Sequence, residues 1–118
     1  MYGPEDWGRT RVRELLRMVG LNPGHAGRYA HQFEAGDRQR IGIARALALS
    51  PELVVLDEPV AGLDDRTRAS VIGLLKDLQV ELGLTYLVIS QDLSTARRFA
   101  HRIAIMQSGR ITETGASS

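Results

Sequence analysis

The stretch Leu53-Val54-Val55-Leu56-Asp57-Glu58-Pro59 decides the fold of this chain. Its apolar run predicts a strand that is buried on both faces, as in a parallel sheet with helices on each side. Two adjacent carboxylates follow, so Asp57 and Glu58 are expected at the carboxyl edge of the sheet, where open α/β sheets bind ligands. The alternative interpretation is a strand that ends in a polar turn.

The composition is that of an ordinary small globular domain. The chain has 118 residues, 43% hydrophobic and 25% charged, and its net charge of +1 gives no drive towards nucleic acid or a membrane surface. Cysteine is absent, which excludes disulfides and thiolate chemistry. No apolar run reaches the roughly 18 residues of a membrane span, and the first residues do not have the pattern of a signal peptide.

Strands and helices are predicted to alternate along the chain. Helices are expected at about 9–19, 37–48, 65–82 and 93–100, and strands at 53–57, 85–89, 102–106 and 110–113. Asp64 or Asp65 should cap the long third helix, and Gly83 should end it. This order predicts a mostly parallel sheet with a hairpin at its end. The apolar face of the third helix is expected to comprise Val71, Leu74, Leu75, Leu78 and Leu82.

Four motifs follow one another in a fixed order. They are Gln39-Arg40-Ile41-Gly42-Ile43-Ala44-Arg45-Ala46-Leu47-Ala48, the strand with its two acids, Val60-Ala61-Gly62-Leu63-Asp64, and Ile89-Ser90-Gln91-Asp92. In this order they resemble the C-terminal half of an ABC transporter nucleotide-binding domain, over residues 12–115. The segments Gly83-Leu84-Thr85-Tyr86 and Gly109-Arg110-Ile111 make the resemblance closest to the ATPases of peptide importers.

The resemblance implies the fold class α/β: a partial P-loop NTPase (RecA-like) with a mostly parallel sheet, flanking helices and a C-terminal β-hairpin. Residues 1–118 then form a single partial ATPase domain. Residues 1–48 would be a remnant of the helical subdomain with the signature helix, and 49–118 the C-terminal half of the catalytic core. In the family a further strand, not found here, lies between the counterparts of 85–89 and 102–106. These two strands are expected to pair, to accept a strand from another chain, or to leave the segment marginally folded.

The resemblance also implies roles for individual residues. In the family the opening heptad is a Walker B motif, in which Asp57 would hold Mg²⁺ through water and Glu58 would be the general base that orients the attacking water. Asp64 would lie in the loop that contacts the opposite subunit. The signature motif, whose helix start faces the γ-phosphate of ATP, is replaced here by Glu34-Ala35-Gly36-Asp37. Gln91 occupies the place of the switch histidine, which contacts the same phosphate.

The implied cofactors are ATP and Mg²⁺. The implied partners are a membrane permease subunit and a second ATPase domain, with the chain in the cytoplasm at the inner face of the membrane. Unpaired strand edges also predict self-association. The transported solute is not encoded here, because in this family separate binding and membrane subunits set specificity.

The chain departs from the family pattern where phosphate would bind. It contains no G-x-x-x-x-G-K-[ST] loop, and its single lysine, Lys76, is expected on the exposed side of a helix. Glu34 and Asp37 place carboxylates where phosphate would arrive, and a charge about 5 Å away costs roughly 3 kcal/mol at an effective dielectric near 20. They are interpreted as stabilising the helix start instead. Gln91 cannot carry a positive charge. The chain alone is therefore expected to hydrolyse ATP negligibly.

Two other functions stay open. One is a non-catalytic interaction module that docks through its helical face on a permease or on a complete ATPase subunit and modulates that partner. The other is a relative of the DNA-repair ATPases with the same fold, against which the importer-like segment 83–90 argues.

The remaining charged residues are interpreted as surface groups. No nucleic-acid partner is expected from the arginines of the first helix, which are interpreted as a solvated face. The histidines have no metal-ligand spacing. The residues concerned are Arg9, Arg11, Arg13 and Arg17, and His25, His31 and His101.

Overall fold

The computed structural model describes residues 4–23 and 35–117, with side chains described from residue 10 onwards. Four helices and four strands are present in these ranges. In chain order they are α1 (Pro4–Met18), α2 (Ala35–Leu47), β1 (Leu53–Asp57), α3 (Asp65–Leu82), β2 (Thr85–Ile89), α4 (Leu93–Phe99), β3 (Arg102–Gln107) and β4 (Arg110–Ala116). β1 and β2 have the bounds expected from the sequence, while α1 begins five residues earlier than the expected 9–19.

The strands form two separate two-stranded sheets. β1 and β2 are parallel, with Val55 opposite Leu87 and Asp57 opposite Ile89. β3 and β4 form an antiparallel hairpin with a register shift after Ile105. Within the described part of the chain β2 and β3 are not hydrogen-bonded to each other, so the two strands do not close the expected gap. The fold class is confirmed: parallel strands, flanking helices and a C-terminal hairpin.

The core lies between the helices and one face of the β1–β2 sheet, which we call the inner face. Val54 and Leu56 of β1 are buried on this face, and Tyr86 and Val88 of β2 pack against the same cluster. α3 contributes three of the four largest fully buried side chains, and the hydroxyl of Tyr86 donates to the Leu75 carbonyl oxygen at 2.7 Å. The inner face is therefore held to α3 by apolar packing and by one hydrogen bond.

The opposite, outer face of the sheet corrects the prediction of a strand buried on both sides. Leu53, Val55, Leu87 and Ile89 are each about half exposed, whereas Val54 is only 6% exposed. The reason is that successive side chains of a strand point to opposite faces, and none of the described elements covers the outer one. The prediction for the apolar face of α3 is wrong at its end, because Leu82 in the last turn is 44% exposed.

The ends of α3 follow the local chemistry that the sequence predicts. The Asp64 carboxylate accepts the Thr67 backbone N–H at 2.8 Å and so is the N-cap. Gly83 ends the helix in the left-handed region at φ 63°, and its N–H donates to the Gln79 carbonyl oxygen. The loop that precedes α3 directly follows β1, so the N-cap Asp64 lies near the carboxyl end of that strand.

Arg11 is not part of a solvated face. Its guanidinium donates to the carbonyl oxygens of Leu47 and Ala48, at 3.2 and 3.3 Å, and pairs with Glu14. Because these carbonyls end α2, Arg11 caps that helix from α1. Among the other residues interpreted as surface groups, Arg13, Arg17 and His101 are exposed, while His25, His31 and the side chain of Arg9 lie outside the described residues.

Candidate functional site

The two carboxylates of the opening heptad lie at the carboxyl end of β1, as the sequence predicts. Asp57 is the last residue of the strand, is exposed, and shares the outer face with Val55. Glu58 follows with φ 47°, a left-handed conformation that is uncommon for a residue with a Cβ. This turn directs the two side chains differently, because Glu58 reaches across to the end of β2.

Glu58 is held by the end of β2 through two hydrogen bonds. Its backbone N–H donates to the Ile89 carbonyl oxygen at 2.8 Å. Its carboxylate oxygen Oε1 accepts the Gln91 backbone N–H, also at 2.8 Å. The parallel register of β1 and β2 makes both bonds available, since it places Ile89 opposite Asp57. The structure therefore brings Asp57, Glu58 and Gln91 to one sheet edge.

A cleft of about 450 Å³ opens beside Glu58 and Gln91. Its wall includes Arg68 of α3 and Asp92, the N-cap of α4. The Asp92 carboxylate accepts hydrogen bonds from the Thr95 hydroxyl at 2.9 Å and from the Ser94 N–H at 3.0 Å. The Thr95 bond is the main reason that the pKa of Asp92 is lowered. Asp92 therefore lines the cleft as an ionised carboxylate that already accepts hydrogen bonds from its own helix.

Arg68 fixes the loop between β1 and α3. Its guanidinium donates to the Leu63 carbonyl oxygen at 2.9 Å and pairs with Asp65 at 3.2 Å. Sequence reasoning did not single out this residue, although the (i, i+3) spacing from Asp65 is a known pairing distance on a helix. The contact with Leu63 had no signal in the sequence, because it depends on how the loop folds back onto α3.

A second cleft, of about 350 Å³, separates the start of α2 from the loop before α3. Ala35, Gly36, Asp37 and Asp64 all line it. Asp64 uses its carboxylate as the N-cap, and the Thr67 backbone N–H is the largest cause of its lowered pKa. The structure thus brings these four predicted residues together, away from Gln91. Glu34 lies outside the described residues.

The helices α2 and α3 approach closely at this second cleft. A Cβ added to Gly36 would lie 2.5 Å from Cγ2 of Thr67. Asp37 pairs with Arg40 at 3.7 Å, and Arg40 also bonds the Ser70 hydroxyl of α3. Gly36 therefore has a packing role, and Asp37 has a cation beside it in its own helix.

The residues at the sheet edge fit Mg²⁺ only together with a phosphate ligand. Mg²⁺ keeps several waters and binds one or two carboxylates plus substrate phosphates. The exposed Asp57 supplies one such carboxylate, with Glu58 next to it. In the ranges that the structure describes, no group of three or more His, Cys, Asp or Glu side chains could hold a metal ion without help. Nor does any helix in them have the length and apolarity to cross a bilayer.

Known proteins share much of the sequence of this chain. A family model described as ABC transporter matches residues 5–61. The oligopeptide transport ATP-binding protein AppF of Bacillus subtilis is 54% identical over 103 residues, which are 87% of this chain and 31% of that protein. The dipeptide transport ATP-binding protein DppF of Lactococcus lactis is 52% identical over 108 residues, or 92% and 35%. The chain spans about a third of the length of these relatives.

Solved structures agree with the sequence comparisons. CbiO1 from Clostridium perfringens, part of the ABC transporter complex CbiONQ, aligns with a TM-score of 0.83 and 31% identity over 99% of this chain and 46% of its own. The ATP-binding cassette MJ0796, in a dimeric post-hydrolysis state with ADP and Pi, aligns with a TM-score of 0.78 and 34% identity over 100% and 50%. The resemblance found in the sequence is confirmed: the chain corresponds to a C-terminal portion of an ABC transporter ATP-binding protein.

Proposed function

We propose that this chain is a segment of the ATP-hydrolysing subunit of a peptide importer. The observation that carries the proposal is the pair Asp57 and Glu58 at the carboxyl end of β1, with Glu58 fixed against the end of β2. Enzymes catalyse phosphoryl transfer mainly by positioning the reactants and stabilising charge. A carboxylate that orients water and a carboxylate that binds metal, both at one sheet edge, suit that chemistry. The peptide-transport relatives support the substrate class.

Each residue of the edge then has a role. Asp57 would hold Mg²⁺ through water, and Glu58 would accept the proton of the attacking water. Bound Mg²⁺ and ATP would supply the transferable phosphoryl group and its charge neutralisation. Gln91 at this cleft would contact the γ-phosphate, while Ala35, Gly36, Asp37 and Asp64 line the second cleft, which would face ATP held by a second ATPase domain. Glu34 belongs to the same proposed set.

The proposed setting is the cytoplasmic face of a membrane. There the chain would work with a permease subunit and with a second ATPase domain. The dimeric state of the ATP-binding cassette MJ0796 supports the second of these partners for this chain as well.

We further propose that the chain alone is inactive. Its sequence offers no phosphate-binding lysine loop, and Lys76 is exposed on α3. Asp37, in the first turn of α2, lines the second cleft together with Arg40 and Arg66, which offset its charge, so the proposal of inactivity depends on the lysine loop that the sequence lacks. Without bound ATP the general base has no substrate, so Glu58 would be correctly oriented but would not catalyse hydrolysis.

A phosphate-release assay at millimolar Mg-ATP tests the proposal. The chain should release no phosphate above the buffer blank. Glu58→Gln removes the proposed base, and Glu81→Gln is the matched control because Glu81 is an exposed carboxylate at the far end of α3. Turnover that Glu58→Gln abolishes and Glu81→Gln preserves would contradict inactivity while supporting the role of Glu58.

The outer face of the β1–β2 sheet favours a second candidate function, docking without catalysis. Four half-exposed apolar side chains lie together on this face, and exposed apolar patches are typical of interaction surfaces. In this case a permease or a complete ATPase subunit would cover Leu53, Val55, Leu87 and Ile89. Loss of co-purification with a complete importer after Val55→Lys, but not after Val80→Lys at an exposed position of α3, would support docking. Equal recovery of both variants would argue against it.

A further inference from the structure

Glu58 is fastened at both its main chain and its side chain. Its backbone N–H donates to the Ile89 carbonyl oxygen, and its carboxylate accepts the Gln91 N–H, each at 2.8 Å. The two partners lie two residues apart on the same short stretch at the end of β2. The residue that directly follows β1 is therefore held by two nearby backbone groups, one at the end of β2 and one in the loop after it.

The clamp accounts for the backbone conformation of Glu58. A φ of 47° is disfavoured for a residue with a Cβ. Such conformations persist where the surroundings determine them more strongly than local preference does. At Glu58 the two hydrogen bonds to the end of β2 provide these surroundings. The bond to Gln91 is charge-assisted, because its acceptor is a carboxylate.

We propose that the backbone N–H of Gln91, and not its side chain, is the group that positions the Glu58 carboxylate. The bond occupies Oε1, which leaves Oε2 as the oxygen available to a water molecule. This proposal rests on the proposed function for its significance, since it concerns how the base of that reaction is aimed. Gln91 is in this sense a positioning residue.

The proposal has a consequence for the sequence. A main-chain donor is supplied by every amino acid except proline. The exchange of the family's histidine for Gln91 therefore leaves the orientation of Glu58 unaltered, whatever it does to contacts with phosphate. The other charged groups that line the same cleft are Arg68 on α3 and Asp92 at the start of α4, and neither donates the bond to Oε1.

NMR of the nucleotide-free full chain tests this directly. The scalar coupling across the hydrogen bond, between the Gln91 amide nitrogen and the Glu58 Cδ, should be detectable. The Gln91 amide should exchange with solvent about three- to tenfold faster in Glu58→Ala, as expected when one solvent-exposed hydrogen bond is lost. Glu58→Gln keeps an acceptor oxygen and should retain most of the protection.

Variants at position 91 separate main chain from side chain. Gln91→Ala should preserve both the coupling and the Glu58 Cδ chemical shift, while Gln91→Pro should abolish the coupling and move the shift. Glu58→Ala gives the answer independently if the proline variant does not fold. Absence of the coupling in the wild type, or its loss in Gln91→Ala, would overturn the proposal. Because ATP is not used, this result is independent of the phosphate-release assay.

Discussion

The two faces of the β1–β2 sheet are built from similar residues and have different surroundings. On the inner face Val54 and Leu56 are less than one-tenth exposed, because they lie in the core cluster to which the helices contribute. On the outer face Val55 and Leu87, which lie opposite each other, are 56% and 54% exposed. An apolar run therefore indicates that both faces of a strand are suited to burial. Whether each face is in fact buried depends on which elements pack against it.

The largest expected effect comes from removing a side chain under the inner face. Leu75 is 1% exposed, so Leu75→Ala should lower the free energy of unfolding by about 3 kcal/mol through lost burial and a cavity. Leu87→Ala makes the same change on the outer face and should cost less than about 1 kcal/mol. Urea unfolding followed by circular dichroism measures both. Equal losses would mean that the two faces are buried alike.

The next effect concerns how closely α2 approaches α3. Gly36→Ala would place a Cβ 2.5 Å from the Thr67 methyl group, so it should lower the free energy of unfolding by about 1–3 kcal/mol through overpacking. Thr67→Ser removes that methyl group and should restore stability in the double variant. The same unfolding measurement, run as a double-mutant cycle, checks this. Strict additivity of the two changes would refute the close contact.

Tyr86 sharpens the comparison because it joins the inner face to α3 by a hydrogen bond. Tyr86→Phe should lower the free energy of unfolding by about 1 kcal/mol at neutral pH. Burial raises the pKa of Tyr86 from 10.0 to about 12. The folded state thus favours the neutral phenol, and this stabilisation is present below pH 10 and lost as the pH rises towards 12. A Tyr86→Phe variant with the same alkaline loss as wild type would contradict the assignment.

The smallest effect is expected at the exposed start of α3. The Thr67 N–H lowers the pKa of Asp64, so the ionised form is favoured in the folded chain. Its contribution should be present above the ordinary value of 3.8 and disappear as the pH falls through the folded pKa. Asp64→Asn keeps the cap acceptor and should flatten this part of the acid unfolding profile. An unchanged acid unfolding profile would show that the Asp64 carboxylate does not cap α3.

Local features of the fold could be predicted from the sequence. The bounds of β1 and β2, the N-cap Asp64 and the end of α3 at Gly83 each depend on a few neighbouring residues, and all are confirmed. The position of Asp57 and Glu58 at a strand end follows from the same local pattern. What makes them local is that turn and cap chemistry acts within one or two turns of chain.

The remaining features depend on contacts between distant segments. The periodicity of α1 predicts a solvated Arg11, because it gives no sign of the α2 carbonyls that this residue caps. Arg68 and its bond to Leu63 were missed because the fold of the loop decides that contact. The left-handed conformation of Glu58 likewise follows from where β2 ends, and no residue near position 58 signals it.

The proposed function assigns the two carboxylates of the sheet edge to an ATPase and holds that this chain alone does not bind ATP. Calorimetric titration of Mg-ATP into the purified chain tests this most directly. We predict no saturable binding with a Kd below about 1 mM, which corresponds to about −4 kcal/mol. Magnesium-dependent binding in the micromolar range, weakened by Asp57→Asn, would contradict the claim.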